Sequence, residues 1–259
     1  MKTAFVTSVA FANCILATSL LAEYNGEVAL SYENLDSNFS GEDLYVGGIT
    51  IYTSPLSYVG KTPFDEAAFF NKVGQIDVLY GRATGFAEDF DTYGAAYTYR
   101  DANDANSYLA SWVHSDAGSD FNQFDLGYDR FLSQGFSVGL RTGLSDWGKN
   151  EQWSYGVVSK RLFPLEQNRW ISVDGGVAWA DDGVSGEWTF SGATTYYPSA
   201  RTGIGLGLAT TERWADYDAS LSVTRYLREN LAVDVTYSRS FLNDSRDSDG
   251  IRFGGKYRF

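Results

Sequence analysis

The chain has 259 residues and a formal charge of -13, from 33 acidic against 20 basic side chains, with one histidine and one cysteine. So acidic a chain disfavours nucleic acid, whose phosphates need clustered cations, and a lone cysteine excludes a disulfide framework or a cysteine metal site. Tyr (18), Phe (17), Trp (7) and Gly (27) are abundant and Pro (4) is scarce, a composition that suits strands and tight turns.

Residues 1–22 carry an early Lys2, an apolar run from Ala4, and Leu20-Leu21-Ala22 ahead of the polar Glu23-Tyr24-Asn25. This is the layout of a secretory signal cut after Ala22. Thr7, Ser8 and Asn13 interrupt the run, which is barely long enough to anchor in a membrane. Cys14 falls inside this leader behind Asn13, where lipid attachment would want a small residue. An exported chain cut there has no thiol chemistry, and residues 23–259 are expected to form a single domain.

From Tyr24 the chain repeats one unit, about ten residues of strict alternation and then a polar break. Tyr24, Gly26, Val28, Leu30 and Tyr32 share one face, and Asn25, Glu27, Ala29, Ser31 and Glu33 the other. The two tyrosines lie about 26 Å apart along a strand, or about 20 Å along a membrane normal at the usual tilt, which approximates the spacing of two aromatic girdles. Leu44 to Tyr52, Asp91 to Arg100 and Ser107 to His114 alternate imperfectly but fit as strands.

Between the first two of these stands Thr53 to Lys72, with Pro55, Gly60, Pro63 and then Glu66-Ala67-Ala68-Phe69-Phe70. Phe64, Phe69 and Phe70 need cover, so this connection is expected to fold against the periplasmic mouth of whatever the strands enclose. Its pattern Tyr-x-x-Pro, then Pro-x-x-Glu-Ala-Ala-Phe-Phe, resembles a stretch of uncharacterised porins of Gram-negative marine bacteria. No connection looks long enough to plug a bore fully.

His114 sits in Trp112-Val113-His114-Ser115-Asp116, at a strand end. Barrel enzymes resembling omptins or phospholipase A would set a histidine beside a nucleophile or activated water, and no such constellation surrounds it. It reads as an interfacial histidine, and no catalytic, cofactor or metal residue is assigned.

Further strands follow. Phe124, Leu126 and Tyr128 oppose Asp125, Gly127 and Asp129; Phe136, Val138 and Leu140 oppose Ser137, Gly139 and Arg141; Ile171, Val173 and Val177 oppose Ser172, Asp174 and Gly176. Gly203-Ile204-Gly205-Leu206-Gly207 superficially looks like a phosphate loop, but alternation continues through Leu208 where such a loop needs a helix. Tyr217 to Val223 and Leu231 to Tyr237 repeat the rule.

In the last stretch Ile251, Phe253, Gly255, Tyr257 and Phe259 face one way, and Arg252, Gly254, Lys256 and Arg258 the other. A strand ending on a terminal aromatic resembles the final strand of bacterial outer-membrane barrels, and the resemblance implies that Phe259 is the address read by the barrel assembly machinery. The opposing faces are mostly Gly, Ala, Ser and Thr with sparse charge, as a crowded lumen requires and an exposed sandwich face does not. The expected fold class is therefore all-β, a transmembrane antiparallel up-and-down β-barrel of about 14 strands, with 12 or 16 also fitting. Mean hydropathy, -0.26, is uninformative here, because half the strand residues face water.

With an even count and both ends in the periplasm, the connections Asp36 to Asp43, Ala83 to Phe90, Ser115 to Asp120, Ser145 to Glu151, Asp181 to Ser185, Thr211 to Asp216 and Leu242 to Asp249 are extracellular. Ser133-Gln134-Gly135, Pro198-Ser199 and Arg228-Glu229-Asn230 are periplasmic turns. The acids gather in the extracellular set, as a vestibule for cations, as ligands for divalent ions shared with lipopolysaccharide, or as an adaptation of solubility to saline surroundings.

Lumen-lining charges are expected at Glu27, Glu33, Asp125, Asp129, Arg141, Lys160, Asp174, Asp234, Arg252, Lys256 and Arg258. Closure sets Arg252, Lys256 and Arg258 beside Glu27 and Glu33, and Arg141 and Lys160 lie on strands near Asp125 and Asp129. They serve as seam salt bridges or as a transverse field for solutes. The expected function is a channel for passive diffusion of small hydrophilic solutes or ions, mildly cation-preferring, in the outer membrane of a Gram-negative bacterium. The alternative is a non-conducting structural or adhesive barrel. Expected partners are outer-membrane lipid and lipopolysaccharide, the assembly machinery, the solutes and, by porin analogy, two further copies in a homotrimer.

Overall fold

The computed structural model describes residues 24–37, 40–56, 62–85, 89–116, 120–146, 151–181, 186–212, 217–241 and 247–259. The leader expected over residues 1–22 lies outside them, as do the loop acids Glu88, Asp182 and Asp244.

Fourteen strands alternate direction round a ring: β1 (Tyr24–Ser37), β2 (Ser40–Leu56), β3 (Gln75–Thr84), β4 (Phe90–Arg100), β5 (Asn106–Ser115), β6 (Phe121–Ser133), β7 (Phe136–Asp146), β8 (Glu151–Pro164), β9 (Trp170–Asp181), β10 (Gly186–Ser199), β11 (Thr202–Thr211), β12 (Tyr217–Arg228), β13 (Leu231–Phe241) and β14 (Ser248–Arg258). Each pairs antiparallel with the next, and β14 returns to β1, so the sheet is a closed barrel. Closure leaves no edge strand, which is what a sheet needs in hydrocarbon, where an unpaired amide has no water to turn to. Phe259 completes the seam: its N–H donates to Gly26 O at 3.1 Å, and its carbonyl accepts from Asn25 and Gly26 N–H. A Cβ on Gly26 would meet the Phe259 ring at 2.7 Å, so glycine is what lets the terminal aromatic lie over the first strand.

The three imperfectly alternating stretches are β2, β4 and β5. One expected loop is corrected: Asp36 to Asp43 is mostly ladder, with Leu35 opposite Glu42, Asp36 opposite Gly41 and Ser37 opposite Ser40. Beyond the apolar belt both faces of a strand are wet, so polar residues continue the pairing while the period that betrays a strand fades. The turn at Ser133 to Phe136 is as tight as expected, with Gly135 at φ +75°, a conformation that L side chains avoid.

Every strand leaves a large apolar side chain uncovered on its outer face. Leu30, Ile49, Val78, Tyr97, Tyr108, Leu126 and Leu140 continue into Val157, Val177, Phe190, Leu206, Leu221, Val235 and Phe253, each 39% exposed or more. A continuous apolar belt of this kind is untenable in water and is what a bilayer covers. Aromatic pairs rim it, among them Tyr32 with Tyr45 at 5.2 Å, Tyr80 with Tyr93 at 5.4 Å and Trp179 with Trp188 at 5.2 Å. His114 belongs to this rim, stacked against Tyr93 and Trp112, with Nδ1 3.1 Å from Asn122 Oδ1. No helix among the described residues is long and apolar enough to cross a membrane.

Apart from Ala83 and Phe121 at the other end, the buried apolar residues lie at the end of the barrel that carries Tyr24 and Phe259. Both apolar clusters are built on the β2–β3 connection: Leu56, Phe64, Ala67, Ala68 and Val73 pack with Tyr52, Tyr226 and Ala232, and Phe69 packs with Phe131 and Leu162. This connection holds a 3-10 turn, Phe64–Glu66, running into the one-turn helix α1 (Ala67–Phe70).

Candidate functional site

The β2–β3 connection crosses the bore. In a ring of fourteen strands β10 lies opposite β3. There the Phe64 N–H donates to Ala200 O at 2.9 Å, and the Phe64 ring meets Tyr226 of β12 edge-on at 4.9 Å. The chain then returns past β8, β9 and β6, with Phe70 against Trp170 at 5.7 Å and Phe69 against Phe131 at 5.2 Å. Lys72, at φ +53°, donates to Asp104 O at 2.8 Å, and Gly74 O accepts from Thr53 N–H at 2.9 Å, closing the excursion on β2.

Around this segment each strand contributes a buried residue to one layer: Glu27, Tyr52, Gln75, Thr98, Ser107, Phe131, Ser137, Leu162, Ser172, Tyr197, Gly203, Tyr226, Ala232 and Arg258. Every strand of the ring therefore has a covered residue at this end. The connection folds against the mouth as expected, and its turn and helix reach the far wall, farther into the bore than its length suggested.

The charged residues expected in the lumen fall on the face opposite the apolar belt, and most find partners there. Arg258 Nε lies 2.7 Å from Glu27 Oε2, both 1% exposed, across the seam where they are in register. Arg141 holds Asp129 at 2.8 Å, and Arg252 lies 3.8 Å from Asp234 while donating to Thr236 at 3.1 Å. Asp125 accepts from Gln123 at 2.9 Å and from Ser111, and Glu33 accepts from Ser238 at 3.4 Å. Lys256 stands opposite Ala29 and Ala232. Lys160 does not join Asp125 and Asp129; it lies 3.2 Å from Asp174, its register partner on β9, and 3.0 Å from Glu66 of the segment.

Sequence reasoning missed Asp65, Glu66, Asp77, Arg100, Tyr197 and Tyr226. Asp77 accepts from Thr50 at 2.7 Å and Gln75 at 2.8 Å, and Arg100 reaches back toward Val73 O. Glu66 accepts from Tyr197 Oη at 3.1 Å and Asp65 from Tyr226 Oη at 2.8 Å; Arg258 in turn donates to the Tyr226 oxygen. One network thus ties seam, wall and segment together.

Burial pushes the Glu66 carboxyl above its ordinary value of 4.5, against the pull of Lys160. Two acids, Glu66 and Asp174, share one ammonium, so a proton is welcome there. A carboxyl raised in the docked segment takes up a proton on docking; docking therefore strengthens as pH falls toward the ordinary value and weakens as pH rises through the raised one. Lowering the pH from about 7.5 to about 5 is expected to tighten the segment, reducing its cleavage by an added protease. Glu66→Gln should make that cleavage independent of pH in this range.

A closed antiparallel barrel with an uncovered apolar belt, aromatic rims and a charged inner face is the architecture of outer-membrane channels. The family model described as "putative general bacterial porin" matches residues 81–259, and the chain belongs to that family. Among solved structures, the chain is similar to the Acinetobacter baumannii outer membrane protein Omp33 (TM-score 0.73, 19% identity, covering 92% of this chain and 99% of that one). It is also similar to a bacterial polysaccharide outer membrane secretin (TM-score 0.54, 8% identity, 92% of this chain and 100% of that one). At these identities the likeness is one of fold. A search of curated proteins gave no match. Family and fold together indicate a channel of a bacterial outer membrane, and not an enzyme.

Proposed function

We infer that the protein is a pore for passive diffusion of small hydrophilic solutes and ions across the outer membrane of a Gram-negative bacterium, with its periplasmic end closed in the resting state by residues 62–74. The observation that carries this is the charged inner face inside an apolar belt, since a barrel of fourteen strands is wider than the eight whose side chains fill it. The pairs Glu27 with Arg258, Asp129 with Arg141, Asp174 with Lys160 and Asp234 with Arg252 cancel. Asp77 and Asp125 are held by neutral donors, which favours a mild cation preference.

Lipid and lipopolysaccharide cover the belt, the assembly machinery reads Phe259, and further copies of the chain complete a trimer on the porin pattern. The buried layer at one end favours a second reading, a non-conducting structural or adhesive barrel. Purified protein in a planar bilayer under a KCl gradient tests both. Discrete conductance steps with a reversal potential favouring potassium are expected; a reversal potential favouring chloride removes the cation preference, and silence under every condition, with the segment removed as well, leaves the second reading.

A further inference from the structure

We propose that Lys160, Tyr197 and Tyr226 form a carboxylate-binding site on the inner wall, which the chain fills with its own Asp65 and Glu66 and for which a solute bearing two carboxylates competes. The site stands on its own geometry; only its consequence, opening of the bore, rests on the channel reading.

The three donors come from β8, β10 and β12, alternate strands of the wall, so their arrangement belongs to the barrel and not to the segment. Lys160 Nζ is 3.0 Å from Glu66 Oε2, Tyr197 Oη donates to Glu66 Oε1 at 3.1 Å, and Tyr226 Oη donates to Asp65 Oδ1 at 2.8 Å. Tyr197 and Tyr226 are 3% and 2% exposed. The Tyr226 oxygen accepts from Arg258, which is itself paired to Glu27, so its one proton is left to point into the bore. Donors held this way from behind present the polarity that carboxyl oxygens need once the segment withdraws.

Closure by itself does not call for the two acids. Phe64, Ala67, Ala68 and Phe69 already seal the end, and Lys160 already has Asp174 at 3.2 Å. Bringing a second carboxylate into this buried place adds a desolvation cost without adding neutrality. Adjacent in sequence, Asp65 and Glu66 present two carboxylates together, as a short dicarboxylate does, and wall donors that hold one pair hold the other.

The test uses the full chain with Ala68→Cys, a position of the segment itself that is 1% exposed while docked, and follows maleimide labelling in detergent with succinate as probe. Succinate at about ten times its Kd is expected to speed labelling roughly tenfold, since only the withdrawn segment leaves the site free. Succinamide, or sodium chloride of equal ionic strength, should leave the rate unchanged. Adding Lys160→Met should raise the basal rate and abolish the response; Tyr197→Phe, which keeps the charge, should weaken it. Equal acceleration by succinate and chloride, or a full response with Lys160→Met in protein that still shows heat-modifiable migration, overturns the site. Labelling that responds to succinate in protein with no conductance sinks the channel and leaves the site standing; conductance without a succinate response does the reverse.

Discussion

Replacing residues 54–73 by a short Asn-Gly turn will raise the conductance of the purified protein roughly tenfold or more, because the buried layer at one end is then reduced to a ring of wall side chains. The cut is placed by the structure. Thr53 N–H already bonds Gly74 O, so the β2–β3 ladder reaches the point where the new turn begins. Tyr52 opposite Gln75 and Ile51 opposite Ile76 hold the register on either side. What is lost is the packing of Leu56, Phe64 and Phe69, about 1.5 to 3 kcal/mol for each, together with the single β1–β2 pairing of Leu56 with Tyr24, while the β2–β3 ladder stays whole. The barrel should therefore still migrate as a folded species before heating, at a lower transition temperature. A folded deletion protein with the conductance of the parent would show that the segment does not close the path, whatever its burial suggests.

The wall was legible because two solvents act on it. Leu221 and Val223 meet lipid while Ser220 and Ser222 meet the bore, so a period of two is written into the residues and each strand can be placed without its neighbours. Closure was legible at the seam for the same reason: once Glu27 and Arg258 both face inward, a ring must bring them together, and they stand in register. Where both faces are wet the signal fades, which is why the polar extensions of β1 and β2 read as a loop. The segment was half legible. Phe64, Phe69 and Phe70 announced that something covers them, but Glu66 meets Lys160 and Tyr197, far along the chain, through a crossing of the bore that no local period records. Lys160 looked like a partner of Asp125 and Asp129 because the register of β8 against β9, which sets it opposite Asp174, is not written in either strand alone, and its segment partner Glu66 lies across the bore.

Arg258→Met will destabilise the barrel by about 3 to 5 kcal/mol, the scale for breaking a buried ion pair, because it strands Glu27 with no counter-charge and no water. The substitution also removes the donor behind Tyr226, so the segment should loosen as the seam does, and the Ala68→Cys labelling rate should rise with it. Arg258 is next to the terminal Phe259, so poor assembly could mimic poor stability. Glu27→Ala separates the two, since it leaves the opposite charge stranded at the other end of the chain with the terminal residues intact. Both single variants should lower the temperature at which the folded form is lost, and the double variant Glu27→Ala with Arg258→Met should recover much of the loss, since two neutral side chains leave no buried charge. If Arg258→Met alone fails while Glu27→Ala behaves as the parent, the arginine acts in assembly and the pair does not hold the seam. Losses that simply add in the double variant would show that the two side chains stabilise separate things, and that the charge crossing from the first strand to the last is not what closes the ring.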